Sequence, residues 1–219
     1  MKIVINSHIK SDIALQHLLE SFRENDINVF PLIIVIGGYY NLKNYEIIED
    51  KDNKNITYIH ANHNSIDFTG LITLMELYSD DVNEHYMYLH DTCKIGKNFY
   101  NKIKSIDLTN VSSIKINLLF SMNIGIYSQN IINNFKDFLL SKKNTDENRC
   151  MDFKAWNTED HIFNNDTNNK LLDNYAGHNY TGPSDYYNTG TMRIVEYYPN
   201  LDLYKIKANW GQGSWILNN

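Results

Sequence analysis

Tyr86-Met87-Tyr88-Leu89-His90-Asp91-Thr92 decides how this chain is read. Tyr86 to Leu89 are bulky and mostly apolar, which reads as a β-strand. The strand ends at Asp91, so an apolar run delivers one carboxylate to the edge of a sheet. A hard divalent cation such as Mn²⁺ or Mg²⁺ takes such an oxygen ligand and keeps positions open for phosphate oxygens. Asp-Thr after a strand is equally a turn signal, with the carboxylate capping the turn. His90 has two readings as well: a metal or phosphate ligand, or a side chain that satisfies backbone groups where the strand stops.

Working outward toward the N-terminus, the pattern alternates. Lys2 to Asn6 is a short apolar strand. Ser11 can cap a helix whose first turn carries Asp12, with apolar residues at Ala14, Leu15, Leu18, Leu19 and Phe22 in helical spacing. Leu32 to Ile36 is a β-branched strand that stops at Gly37-Gly38. Residues 41–55 are polar and read as a loop with a short helix. Ile56 to His60 is a further strand, followed by a helix bearing Phe68, Leu71, Ile72, Met75 and Tyr78 on one face. This order predicts an α/β, Rossmann-like fold, a mixed and mainly parallel sheet flanked by helices. Ligands of such sheets bind at the carboxyl ends of the strands. The candidates are therefore Asn6, Ser7 and His8 after the first strand, Gly37 after the second, Asn62 and Asp67 after the third, and His90 and Asp91 after the fourth.

Beyond Asp91 the pattern is less regular. Ile114 to Phe120 and Asn123 to Tyr127 read as strands, and Ile131, Ile132, Phe135, Phe138 and Leu139 as one helical stripe. A helix is expected to begin near Thr158. Residues 173–190 read as a long surface loop, and Met192 to Tyr197 and Leu203 to Lys207 as closing strands. Lys205 and Lys207 read as the solvated face of an edge strand.

Composition narrows the function classes. A chain of 219 residues suits one domain, and 42% hydrophobic with 13% aromatic residues supports a packed core. A net charge of −6 with no basic block argues against a nucleic-acid partner. No apolar run reaches the ~18–20 residues of a membrane span. Cys93 and Cys150 are too few for a disulfide framework, so a reducing cytoplasm is the simplest compartment. The abundance of Asn, Ile, Lys and Tyr is typical of an AT-rich coding sequence, as in large DNA viruses, protists or low-GC bacteria.

The stretch from Asn62 to Cys93 resembles the nucleotide-sugar half of GT-A glycosyltransferases, in which an apolar strand ends in an Asp-x-Asp motif. Leu89-His90-Asp91-Thr92 stands in that place, with Cys93 where the second carboxylate belongs. The resemblance implies that Asp91 holds Mn²⁺ or Mg²⁺ beneath the donor diphosphate. Trp156-Asn157-Thr158-Glu159-Asp160-His161-Ile162-Phe163 resembles the Glu-Asp motif of inverting members, which implies Asp160 as general base with Glu159 beside it. The bland reading is a helix start, with Thr158 as cap and both acids favoured by the dipole. Ser121-Met122-Asn123-Ile124-Gly125-Ile126-Tyr127 resembles the strand between donor and acceptor sites. The closing Tyr204 to Gly213 segment could fold over a diphosphate, with Lys207 offsetting its charge. Across its length the chain is similar to the small glycosyltransferase domain at the start of a multidomain chlorovirus protein that builds capsid glycans, which implies a viral enzyme in host cytoplasm. The expectation is a single domain over 1–219. Residues 1–95 form its nucleotide-sugar half, and 96–219 its acceptor half and closing strands. Its donor is a UDP-hexose or deoxyhexose type of nucleotide sugar and its acceptor a glycan. A catalytically silent nucleotide- or glycan-binding relative, or another Rossmann-like nucleotide-using transferase, are the alternatives.

Overall fold

The apolar strands of the first half form as expected and lie side by side. The structure is a computed structural model and describes residues 1–116, 123–146, 159–172, 178–180 and 192–208. Strands β1 (Lys2–His8), β2 (Leu32–Gly37), β4 (Ile56–His60) and β5 (His85–His90) are parallel, with β1 between β2 and β5, and β4 outside β2. On the far side of β5 the direction alternates. β8 (Gly125–Ser128) is antiparallel to β5, and β7 (Ser113–Lys115) is antiparallel to β8. β9 (Asn169–Leu171) is parallel to β7. A smaller antiparallel sheet has the order β10 (His178–Tyr180), β11 (Met192–Tyr198), β12 (Leu203–Ala208), β6 (Cys93–Ile95).

Successive side chains on a strand point to opposite faces, and this divides the core in two. Ile3, Ile5, Met87 and Leu89 pack toward helix α1 (Asp12–Glu24), through Leu15, Leu18, Leu19 and Phe22, and toward Phe99, Tyr100 and Ile103 of α3 (Phe99–Lys104). Val4, Val35, Tyr86, Tyr88 and Tyr127 face the other way. They meet Leu71, Ile72, Leu74 and Met75 of α2 (Thr69–Leu77), with α4 (Gln129–Asn134), α5 (Lys136–Lys142) and α6 (His161–Asn165) on the same face.

Four expectations are corrected. The polar stretch 41–55 contains a strand, β3 (Glu46–Glu49), paired antiparallel to β4. All four of its residues are exposed, so no buried alternation marked it. The stripe from Ile131 to Leu139 is two short helices that break at Phe135 (φ −99°, ψ 21°) after Asn133-Asn134. Asparagine competes with helical backbone bonds, and Asn133 Nδ2 reaches the Ser79 carbonyl instead. The loop expected over 173–190 includes β10. Ser11 precedes α1 but its side chain makes no capping bond, for a reason given below. Thr158 and residues 117–122 lie outside the described residues.

Gly125 is where α6 settles on the sheet. A Cβ there would lie 2.3 Å from the Ile114 carbonyl oxygen and 2.6 Å from the Phe163 ring. Neither neighbour can retreat, because one is strand backbone and the other is 2% exposed. Gly125→Ala is therefore expected to cost about 1–3 kcal/mol or more by overpacking, read as a lowered midpoint in chemical denaturation. An unchanged midpoint would contradict this packing.

Candidate functional site

The two-residue period of a strand turns the ends of β1 and β5 into a double site. Asn6 is in register with His90. Both lie on the face that carries α2, while Ser7 and Asp91 fall on the face that carries α1.

On the α1 face, Ser7 Oγ donates to Asp91 Oδ2 at 2.8 Å, and the Ser11 hydroxyl also bonds this carboxylate. Ser11 is thus turned toward Asp91 rather than toward the open amides of α1. The Asp91 backbone N–H donates to the Asn6 carbonyl at 3.0 Å, which fixes the carboxylate where the strand ends. Asp91 is only 6% exposed. Burial raises its pKa to about 6. The Ser7 bond, the Lys205 ammonium and the Ser11 bond oppose that rise, and Asp67 adds slightly to it. Lys205 arrives from β12, whose register sets it opposite Cys93. It is 7% exposed and donates to the Thr92 hydroxyl.

On the α2 face, Asn6 works as a staple. Its Nδ2 donates to the Ile66 carbonyl at 3.0 Å and its Oδ1 accepts the Gly70 N–H at 2.8 Å. This holds the 3₁₀ turn Ile66–Phe68 and the start of α2 against β1 and presents Asp67 beside His90, with Oδ1 3.8 Å from Nδ1. His90 is 7% exposed, and burial, reinforced by Lys205, holds its pKa far below the ordinary histidine value. Its Nε2 is buried without a partner among the described residues. Asn123, in the left-handed region at φ 54°, lies 3.5 Å from the Asp67 carbonyl through Nδ2.

A buried relay braces the loop that bears Asp67. The Asn144 N–H donates to Ser65 Oγ at 3.1 Å, and Ser65 Oγ lies 3.0 Å from His63 Nδ1. His63 Nε2 lies 3.1 Å from the Tyr45 hydroxyl, which donates to Glu76. Glu76 is in turn paired with Lys143 at 2.8 Å. Tyr45 has one proton and gives it to Glu76, so Nε2 must donate to Tyr45 and Nδ1 must accept from Ser65. The ring is neutral. Burial first, and then Lys143, lower the His63 pKa to about 4.

The remaining predicted residues fall around this centre. His8 Nδ1 accepts the Lys10 N–H at 3.1 Å and closes the turn into α1. Gly37 lets the end of β2 approach the next loop, since a Cβ there would lie 3.0 Å from the His63 carbonyl oxygen. Asn62 donates to the Lys43 carbonyl at 3.0 Å, away from the β1–β5 ends.

Glu159 and Asp160 stand apart from Asp91. Asp160 precedes α6 without capping it and is ion-paired with Lys115. Lys115 is the last residue of β7, opposite Gly125, which in turn is opposite Tyr88. The pair therefore lies toward the same end of the sheet as Asp91 but on the α2 face, two strand spacings or about 10 Å from Tyr88, which is three residues short of Asp91. Tyr88 and Tyr127 pack beside it on that face, with ring centroids 5.9 Å apart. Their hydroxyls donate to the carbonyls of Asp67 and Asn123.

Two residues of the site escape the sequence pattern: Ser11, which reads as a cap, and Lys205, which reads as part of a solvated edge. β12 is an inner strand between β11 and β6, and nothing within one strand reveals its neighbours. The Lys207 side chain and the glycines at 211 and 213 lie outside the described residues.

The expected Mn²⁺ or Mg²⁺ can be tested against these groups. A hard cation in such a site takes one or two carboxylates and adds water and phosphate oxygens. Asp91 supplies one, already bonded to two hydroxyls, and a buried ammonium lies within electrostatic reach. Among the described residues no group of three or more His, Cys, Asp or Glu is placed to hold a metal ion. This donor set does not fit a resident divalent cation, because Lys205 already brings the positive charge.

No protein-family model matches the chain and no curated protein matches its sequence. Solved glycosyltransferases are among the structures that match it. An active-site mutant of LgtC superposes with a TM-score of 0.50 at 13% identity, covering 78% of this chain and 72% of LgtC. The fold is one that glycosyltransferases use. S. aureus TarS, residues 1–349, matches with a TM-score of 0.47 at 12% identity, over 80% of this chain and 59% of TarS. The likeness to a chlorovirus glycan-building domain rests on the sequence motifs alone. No helix among the described residues is long and apolar enough to cross a membrane.

Proposed function

We propose that this chain transfers a sugar from a nucleotide-sugar donor, of the UDP-hexose or deoxyhexose type, to a glycan hydroxyl with inversion at the anomeric carbon. The observation that carries this reading is one arrangement within a glycosyltransferase fold: a buried carboxylate, Asp91, just past the end of β5, and a second, Asp160, paired with Lys115 toward the same end of the sheet. Two carboxylates at one end of the sheet suit a donor beside one and an acceptor beside the other. The Asp91 carboxylate accepts hydrogen bonds from donor hydroxyls in addition to those of Ser7 and Ser11. Asp160, paired with Lys115, takes the proton of the acceptor hydroxyl. The acceptor oxygen bonds the anomeric carbon as that carbon's bond to the diphosphate oxygen breaks, and the electron pair leaves with the diphosphate. The Asn6 staple and the His63 relay hold Asp67 and His90 in place at the donor side.

The test is release of nucleoside diphosphate from a panel of UDP- and other nucleotide-linked sugars, with and without glycan acceptors. Slow hydrolysis of one donor, accelerated by an acceptor, is the expected result. Binding of a nucleotide sugar with no turnover under any condition would mark a catalytically silent binding protein instead.

A further inference from the structure

Lys205 is a buried cation that the other described residues leave incompletely compensated. It is 7% exposed. Among the described residues its ammonium has one hydrogen-bond partner, the neutral Thr92 hydroxyl, and it makes no ion pair with a carboxylate. Asp91 feels its charge but is not in contact with it. A buried ammonium is costly unless its charge and its N–H donors are met. Here up to two donors remain unmet, at the carboxyl ends of β1 and β5 where a parallel sheet binds its ligand. His90 Nε2, within electrostatic reach of Lys205, is a second buried polar atom without a partner among the described residues. Two unsatisfied groups on adjoining elements describe a site completed by something from outside, and the cation makes that something an anion.

We propose that Lys205 is the diphosphate-binding residue, and that its ammonium takes the charge-neutralising part otherwise given to a divalent cation. The inference rests on the nucleotide-sugar reading above for its ligand. The β12–β6 pairing delivers the lysine to the strand end, and the Thr92 bond aims it. As the sugar–oxygen bond breaks, the electron pair passes to a terminal phosphate oxygen. Lys205 stabilises that oxygen without forming or losing a covalent bond. A fixed ammonium can do this because developing charge is best met by a group already in position. The β12 strand is placed by the second sheet, so the chain commits a long-range contact to holding one cation here.

The experiment is calorimetric titration of the whole protein with UDP and, separately, with inorganic pyrophosphate, each in EDTA and in Mn²⁺. Wild type, Lys205→Met and Lys205→Arg are compared, with circular dichroism confirming that each variant is folded. The expected result is binding of UDP in EDTA that changes less than about twofold on adding Mn²⁺. Lys205→Met weakens it by at least about 30-fold, the loss typical of removing one partner of a buried charge pair, and Lys205→Arg recovers part of it. Binding of UDP only when Mn²⁺ is present overturns the proposal and leaves the nucleotide-sugar reading standing. Unchanged affinity in folded Lys205→Met also overturns it. Lys205-dependent binding of pyrophosphate with no binding of any nucleotide supports the anion site and removes the nucleotide-sugar reading. No binding of either ligand in either buffer removes both. The wild-type comparison of EDTA with Mn²⁺ stands even if a variant does not fold.

Discussion

Replacing Asp91 with asparagine is expected to make the protein more stable at pH 7 and much less active. Burial raises the Asp91 pKa from 3.8 to about 6, so the folded state holds its proton more tightly than the unfolded chain. The advantage this gives the folded state is full below pH 4 and is lost as pH rises through about 6. Above that, the ionised buried carboxylate costs about 3 kcal/mol relative to its neutral form. Asparagine keeps an acceptor oxygen for Ser7 and Ser11 and removes the charge. The stability gap between Asp91→Asn and wild type should therefore be near that value at pH 7 and vanish near pH 4, measured by urea unfolding across pH. His63, with its pKa lowered to about 4, and His90 have the opposite sign. Their contribution is present above the ordinary histidine value and is lost as pH falls, so acidification should destabilise the variant more steeply than the wild type. Transfer should drop on the order of 10²-fold or more, as when a preorganised polar contact is removed from an active site. A variant that keeps full transfer, or that is less stable than wild type at pH 7, would refute the assignment of Asp91 as a charge held in place for ligand binding.

The second large effect concerns Asp160. As the acceptor's base it should be worth 10²- to 10⁴-fold in kcat. Asp160→Asn is expected to lose that factor with donor affinity unchanged. It also strands Lys115 without its carboxylate, and breaking a buried pair from one side costs about 3–5 kcal/mol. The double variant Lys115→Met/Asp160→Asn separates the two roles, since removing both charges spares the fold. It should regain stability in thermal unfolding and regain none of the rate. If transfer returns with stability, Asp160 is a bracket between α6 and β7 and the base lies elsewhere.

What the amino-acid order settled by itself is local. Periodicity near 3.6 placed α1 and α2, and runs of bulky residues placed β1, β2, β4 and β5. Their shared polar ends pointed to one edge, because parallel strands joined by helices finish on the same side. The two-residue alternation sets Asn6 and Ser7, and likewise His90 and Asp91, on opposite faces, but only the β1–β5 register puts Ser7 and Asp91 on one. Tertiary structure decided who meets these groups. Ser11 was a reasonable cap until Asp91 claimed its hydroxyl. β3 carried no buried stripe, since an exposed edge strand needs none. Lys205 lies 113 residues from the Thr92 hydroxyl it meets, and its burial follows from β12 lying between β11 and β6. Local patterns fix which face a side chain takes, because backbone geometry repeats every few residues. The pairing of distant strands is set by the closure of the whole core, and that is where the cation of this site comes from.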